Sequence, residues 1–173
     1  MANQLTLVLG GARAGKSSYA QRLAAQGERV LFVATAEAGD DEMKARIEAH
    51  KLDRPAGWDT LEEPIDLSTA LDPVVDSYDT VLIDCMTLWA SNLLIAGQDI
   101  PAKVQGILEL YQKGTASWIL VSNEVGLGVV PPTEIGRAYA DELGRLNQMV
   151  AAAADVVVLI VAGLSVNVKE IPS

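Results

Sequence analysis

The chain has little cysteine, a deficit of positive charge and no long apolar run, and each shortage excludes or disfavours a class of protein. Cys85 is the only cysteine, so no disulfide framework exists and a reducing cytosol is the expected compartment. Thirteen basic residues stand against 23 acidic ones, a net charge of −10, which disfavours a nucleic-acid partner. No apolar run approaches the roughly 18–20 residues of a membrane span, and no secretion signal is evident. We therefore expect one cytoplasmic domain over residues 1–173.

A glycine-rich pattern near the start of the chain is the most informative feature present. Its sequence is Gly10-Gly11-Ala12-Arg13-Ala14-Gly15-Lys16-Ser17, which fits the phosphate-binding loop (P-loop) pattern GxxxxGK[ST] at every fixed position. An apolar run precedes it and a helical pattern follows, the context that the motif needs. Backbone N–H groups and a helix N-terminus would bind phosphate, with Lys16 reaching the β- and γ-phosphates and Ser17 ligating Mg²⁺. The sequence therefore predicts a nucleoside triphosphate site.

Apolar runs alternate with helical patterns along the chain, which predicts an α/β fold with a parallel sheet covered on both faces. Five runs are expected strands: 5–9, 30–34, 80–83, 118–121 and 156–161. Helices are expected over about 41–53 and 100–113, with one short helix and a short strand near 59–61 between residues 54 and 79. The last helix has the apolar stripe Ile135, Tyr139, Leu143, Leu146, Val150 and Ala153, which has helical spacing.

Asp84 follows the third long apolar run, where an acid would hold Mg²⁺ in a P-loop site. The sequence argues against a regulatory GTPase, because the chain has no NKxD sequence for guanine recognition and no DxxG after Asp84. Asn123 and Glu124 begin a glycine-rich stretch after the fourth long run. This stretch is either a ligand-facing loop or a structural turn.

His50 is the only histidine, and its spacing alone favours a packed or capping residue beside Met43 and Ile47. Arg46, Lys51 and Arg54 lie close to it in sequence and could bind phosphate around an imidazole nucleophile. From the residues alone, both interpretations remain open.

Taken together, these segments resemble the adenosylcobinamide kinase / adenosylcobinamide-phosphate guanylyltransferase family of cobalamin biosynthesis. The resemblance covers essentially the whole chain. It includes the P-loop, Val33-Ala34-Thr35-Ala36, Asp41-Glu42-Met43, Arg46-Ile47, His50, Arg54-Pro55, Trp58-Asp59-Thr60-Leu61-Glu62, Asp84-Cys85-Met86-Thr87-Leu88-Trp89, Asn92-Leu93-Leu94, the stretch from Ser122 to Pro131, Gly144, Asn147-Gln148, Ala154-Asp155 and Ala162-Gly163-Leu164. Two small departures are Ala14, where the family often has Ser, and Ser165, where Pro is expected.

The resemblance implies two activities, both using nucleotides as substrates. ATP or GTP phosphorylates adenosylcobinamide, and GMP is then transferred from GTP to adenosylcobinamide phosphate through a covalent adduct on His50. It implies a RecA-like sheet, Mg²⁺ or a similar divalent cation at Ser17 and Asp84, and a homo-oligomer, with a trimer as our expectation. The residues it implies in GTP contact are Ala34, Thr35, Ala36, Lys51, Leu52, Asp53, Arg54, Glu62 and Asp84.

Two other functions remain compatible with the residues. One is a different small-molecule P-loop kinase in which His50 is structural, which a covalent nucleotide adduct would exclude. The other is a RecA-like, nucleotide-dependent assembly or switch protein without a small-molecule substrate, which a nucleotide turnover that responds to cobinamide would exclude.

Overall fold

The computed structural model describes residues 3–37, 55 and 57–170, which build one seven-stranded sheet with helices on both faces. The strands are β1 (Leu5–Gly10), β2 (Val30–Ala34), β3 (Asp59–Glu62), β4 (Thr80–Asp84), β5 (Ser117–Val121), β6 (Val156–Val161) and β7 (Leu164–Glu170). The helices are α1 (Lys16–Ala24), α2 (Leu67–Leu71), α3 (Met86–Ile95), α4 (Ile100–Lys113) and α5 (Glu134–Ala153), with a 3₁₀ turn at Val75–Ser77.

The sheet order is β3-β2-β4-β5-β1-β6-β7, and every neighbouring pair is parallel except β6 with β7. The predicted α/β class and all five long strands are confirmed, as are the short strand near residues 59–61 and the helix over 100–113. The strand β1, which leads into the P-loop, is central and lies between β5 and β6. The carboxyl ends of β1, β4 and β5 therefore meet at the same edge of the sheet.

Two apolar cores lie on opposite faces of the sheet, because the strands present side chains to both sides. On one face α1 packs through Ala20 and Ala24 against strand residues such as Val8 and Leu82. On the other face α2 to α5 pack around residues that include Trp89 and Trp118, both almost fully buried. Trp89 keeps its indole hydrogen bond in this core, donating from Nε1 to the Ile65 carbonyl at 3.0 Å.

Helix ends follow ordinary capping chemistry. The Asp99 carboxylate accepts from Ala102 N at 3.0 Å ahead of α4, with Pro101 in the first turn as predicted. Thr133 caps α5 in the same way, accepting from Gly136 N at 3.2 Å. The predicted stripe of α5 is correct for Leu143, Leu146 and Val150 but wrong for Ile135, which is 64% exposed because the first turn extends beyond the core.

Sequence reasoning missed helix α3 and strand β7. The expected helix over about 41–53 lies outside the described residues. Within residues 3–37, 55 and 57–170, no helix is both long enough and apolar enough to cross a membrane.

Candidate active site

The P-loop connects β1 to α1 with the geometry that the sequence predicts. The first strand ends at Gly10, whose φ is 154°, and α1 begins at Lys16 directly after Gly15, whose φ is 101°. A Cβ atom on Gly10 would lie 2.6 Å from the Ile160 carbonyl oxygen of the neighbouring strand β6. Glycine is therefore required at residue 10 by a close approach of backbone to backbone as well as by its φ angle.

The loop is attached to its neighbours on both sides. Glu124 N, after β5, donates to the Gly10 carbonyl at 3.1 Å, and Gly163 N, in the β6–β7 turn, donates to the Ala14 carbonyl at 2.9 Å. These bonds hold the loop between the ends of the two strands that flank β1. A loop held in this way can present its backbone N–H groups to a phosphate without further ordering.

Lys16 lies inside this loop rather than in solvent. Its side chain is only 9% exposed, and its Nζ donates to the Gly11 carbonyl at 2.7 Å. Burial lowers the pKa of Lys16, while Cys85 and Asp84 act in the opposite direction. Burial, reinforced by Asp84, raises the pKa of the Cys85 thiol to about 11, so the thiol is protonated and uncharged near pH 7.

Asp84 is the last residue of β4, and the strand register places other predicted residues beside it. Ala34 pairs with Asp84 on one side and with Glu62 on the other, while Val121 is the partner of Asp84 on β5. Strand β5 alone separates β4 from β1, and Lys16 is electrostatically coupled to Asp84. The fold thus brings residues 10–17, 34, 62 and 84 to one edge of the sheet.

Thr35 joins the ends of β2 and β4. Its hydroxyl donates to the Cys85 carbonyl at 2.7 Å and accepts from Cys85 N at 3.1 Å, and the peptide bond between Asp84 and Cys85 is cis. Asn92 of α3 donates from Nδ2 to the Thr35 carbonyl at 2.8 Å. Thr35 is fully buried, so in this structure its side chain fixes the segment that carries Asp84.

A polar network that the sequence did not reveal supports the loop after β5. Thr87 accepts from Asn123 N through its hydroxyl at 2.8 Å, and its own carbonyl accepts from the Tyr139 hydroxyl at 3.1 Å. Asn147 of α5 donates from Nδ2 to the Asn123 carbonyl at 3.0 Å and is only 7% exposed. Asn147 lies on the face of α5 that buries residues 143, 146 and 150. A polar residue on the apolar face of a helix is the sequence signal that could have revealed this network.

The other predicted site residues divide into two groups. Ser17 lies half-buried in the first turn of α1, and Ala36 follows the buried Thr35. His50, Lys51, Leu52, Asp53 and Arg54 lie outside the described residues. Within the described part of the chain, no group of three or more His, Cys, Asp or Glu side chains could hold a metal ion.

A largely parallel sheet with a P-loop on its central strand, a buried lysine and a strand-end aspartate defines a nucleotide-using enzyme of the RecA-like P-loop class. A solved structure supports the fold: an ATPase from the type III secretion system of pathogenic bacteria has a TM-score of 0.60 and 13% identity. The match covers 96% of this chain and 58% of that one.

Sequence comparisons identify the family. The cobinamide kinase / cobinamide phosphate guanyltransferase family matches residues 6–168. The bifunctional adenosylcobalamin biosynthesis protein CobP of Pseudomonas aeruginosa is 47% identical over 171 residues, covering 96% of this chain and 98% of the relative. Two proteins named CobU, from Escherichia coli and Salmonella typhimurium, are 38% and 39% identical over 180 residues, each covering 95% of this chain and 99% of the relative. The chain belongs to the cobinamide kinase / cobinamide phosphate guanyltransferase family, and it is a bifunctional transferase.

Family membership therefore favours the cobinamide kinase and guanylyltransferase activities that the resemblance implies. It argues against an unrelated small-molecule kinase and against an assembly protein without a small-molecule substrate.

Proposed function

We propose that the chain performs both transfers at the P-loop edge of the sheet. It phosphorylates the aminopropanol hydroxyl of adenosylcobinamide with ATP or GTP. It then transfers GMP from GTP to adenosylcobinamide phosphate, giving adenosyl-GDP-cobinamide and pyrophosphate. The observation that carries this proposal is the buried, loop-bonded Lys16 coupled to Asp84, in a chain of this family.

In the kinase step the acceptor hydroxyl oxygen attacks the γ-phosphorus, and the bond to the β-phosphate oxygen breaks. The hydroxyl proton is released and the nucleoside diphosphate leaves. Lys16 supplies a positive charge at a poorly solvated position, where its attraction to the transferring phosphate is stronger than in water. The hydrogen bonds from Glu124 and Gly163 hold the loop in place while this charge develops.

The described residues suit a magnesium ion that is held largely by the substrate. Mg²⁺ takes oxygen ligands, keeps several waters and is commonly bound by one or two protein oxygens together with phosphates. Asp84 supplies a carboxylate and Ser17 a hydroxyl, and no larger ligand cluster exists among the described residues. When bound, the ion would neutralise charge on the phosphates and the leaving group.

For guanylyl transfer we propose His50 as the nucleophile. A neutral imidazole nitrogen attacks the α-phosphorus of GTP, and the bond to the pyrophosphate oxygen breaks. The phosphate oxygen of adenosylcobinamide phosphate then attacks the same phosphorus, breaking the P–N bond and restoring the imidazole. Lys51 and Arg54 follow His50 closely in sequence, and we propose that they offset charge on the α-phosphate.

The nucleotide contacts that the family resemblance implies at residues 34–36, 51–54, 62 and 84 remain part of this proposal. So do a homotrimeric assembly and a cytosolic location, the latter resting on the single cysteine.

The test of the covalent step uses the fact that the chain has one histidine. Wild type and His50→Ala are incubated with α-labelled GTP and Mg²⁺ without corrinoid, and the protein is analysed by peptide mass mapping. We expect one GMP on His50, labile to acid and stable to base, which discharges when adenosylcobinamide phosphate is added. His50→Ala should lose guanylyl transfer and keep kinase activity, because Lys16 and the P-loop are intact. Guanylyl transfer by His50→Ala at the wild-type rate would refute the mechanism.

A further inference from the structure

The connection between β5 and α5, residues 122–133, carries a group of exposed apolar side chains that the steps above do not use. Leu127 is 83% exposed, Val129 94% and Val130 72%, and Ile135 in the first turn of α5 is 64% exposed. We call these four residues the apolar cluster. Four large apolar side chains exposed within nine residues form a patch of the kind that marks a binding surface.

The segment that carries the cluster is fixed at both ends. At its start Asn123 is bonded to Thr87 and to Asn147. At its end Arg137 donates from Nη1 to the carbonyls of Pro131 and Pro132 at 3.2 and 3.0 Å. Because both ends are hydrogen-bonded to residues of helices, the exposed side chains between them belong to a defined surface.

The apolar cluster lies near the P-loop, where the reacting phosphate of the nucleotide would bind. Glu124 N is bonded to the Gly10 carbonyl of the P-loop, and Val129 follows Glu124 by five positions, so Val129 lies within about 20 Å of the loop. Lys16 interacts electrostatically with Asp84 across β5. The transferring phosphate is therefore expected on the side of the P-loop that faces β4 and β5. A broad molecule seated on the cluster could therefore extend to the transferring phosphate.

The charges of the segment indicate what kind of molecule fits. Between residues 122 and 137 the charged side chains are Glu124, Glu134 and Arg137, so acidic groups outnumber basic ones. Such a surface repels the polyphosphate of a nucleotide and suits a large apolar body with no negative charge. A corrinoid such as adenosylcobinamide has a broad macrocycle edged with methyl groups and uncharged amides, together with a cationic metal centre.

We propose that the apolar cluster binds the corrin ring of the phosphoryl acceptor. This inference rests on the proposed function and extends it by assigning the acceptor to a surface. Contact between the ring and Val129 and Val130 would hold the acceptor while its aminopropanol arm reaches the P-loop. The cluster therefore contributes to acceptor affinity and not to nucleotide affinity.

Two double variants of identical chemistry test the assignment. Val129→Ser/Val130→Ser changes the cluster, and Val166→Ser/Val168→Ser changes two exposed valines of β7, which are 50% and 61% exposed. Binding of adenosylcobinamide is measured by equilibrium dialysis, and KM for GTP by steady-state assay. We expect the cluster variant to raise the corrinoid Kd about 10-fold or more, with KM for GTP unchanged. The β7 variant should match wild type, and Val129→Ile/Val130→Ile should retain binding.

The outcomes separate this inference from the proposed function. Equal corrinoid Kd values for the two serine variants and the wild type would overturn the assignment, while leaving the two transfers intact. A lower sedimentation mass for the cluster variant alone would also overturn it, because the cluster would then contact a second copy of the chain. A wild-type protein that neither binds nor turns over adenosylcobinamide would refute the proposed function itself.

Discussion

Replacing Gly10 by alanine should destabilise the protein through one identifiable contact. The added Cβ would lie 2.6 Å from the Ile160 carbonyl oxygen, whereas ordinary contacts of a Cβ begin near 3.4 Å. The oxygen cannot easily move away, since Ile160 is paired with Gly10 in the sheet register. The φ angle of 154° at Gly10 adds conformational strain for any residue with a side chain.

The size of the effect follows from these two terms. Overpacking in a well-packed region costs about 1–3 kcal/mol, and an unfavourable backbone conformation about 1 kcal/mol more. We therefore expect Gly10→Ala to lower the free energy of unfolding by about 2–4 kcal/mol. For a chain of this size that is a fall in Tm of roughly 5–15 °C. Nucleotide affinity should fall too, because the loop would have to shift.

Gly11→Ala is the matched control, since it makes the same substitution in the next residue of the same motif. No atom lies within 4 Å of a Cβ built on Gly11, so we expect a change in stability of less than about 1 kcal/mol in either direction. Thermal and urea unfolding followed by circular dichroism measure both variants without ligand. If Gly10→Ala unfolds like wild type, or if Gly11→Ala loses as much, the argument from close backbone approach is wrong.

Two further predictions concern the charges at the site. Lys16→Met keeps the buried stem and removes the ammonium, so we expect phosphoryl transfer to fall about 10²-fold or more. The variant should still fold, because methionine fills the space of the buried stem; full activity in a folded Lys16→Met protein would exclude the P-loop mechanism. Asp84→Asn keeps the shape and loses the charge that attracts a hard cation, so the Mg²⁺ concentration for half-maximal activity should rise. An unchanged Mg²⁺ requirement would leave Asp84 with a structural role only.

Sequence patterns predicted the elements that are continuous apolar runs or that have an apolar stripe with a regular period. The long strands are continuous apolar runs, and α5 has an apolar stripe over most of its length. Helix α3 escaped prediction because it is apolar on nearly all sides, with residues such as Met86, Trp89 and Leu93 fully buried. A helix without a polar face gives no helical period to detect.

Strand β7 was missed for a different reason. Leu164, Val166 and Val168 alternate with polar residues but are all at least half exposed, so this edge strand does not contribute a buried run. The candidate site likewise has features that the sequence could predict and features that it could not. Lys16 and Asp84 could be predicted from a motif and from the end of a strand, whereas the bonds from Thr87 and Asn147 to Asn123 join residues far apart in sequence.

The central position of β1 also governs when the nucleotide site can form during synthesis. Leu5 pairs with Trp118 and Thr6 with Val156, and Leu5 N donates to Asp155 Oδ2 across a separation of 150 residues. At roughly 5–20 residues per second the ribosome needs about 6–20 s after making β1 to produce its first sheet partner. The P-loop strand, although translated before its partners, is among the last to be paired. A nascent chain that stops before β5 holds the complete motif but cannot hold the loop in its binding shape.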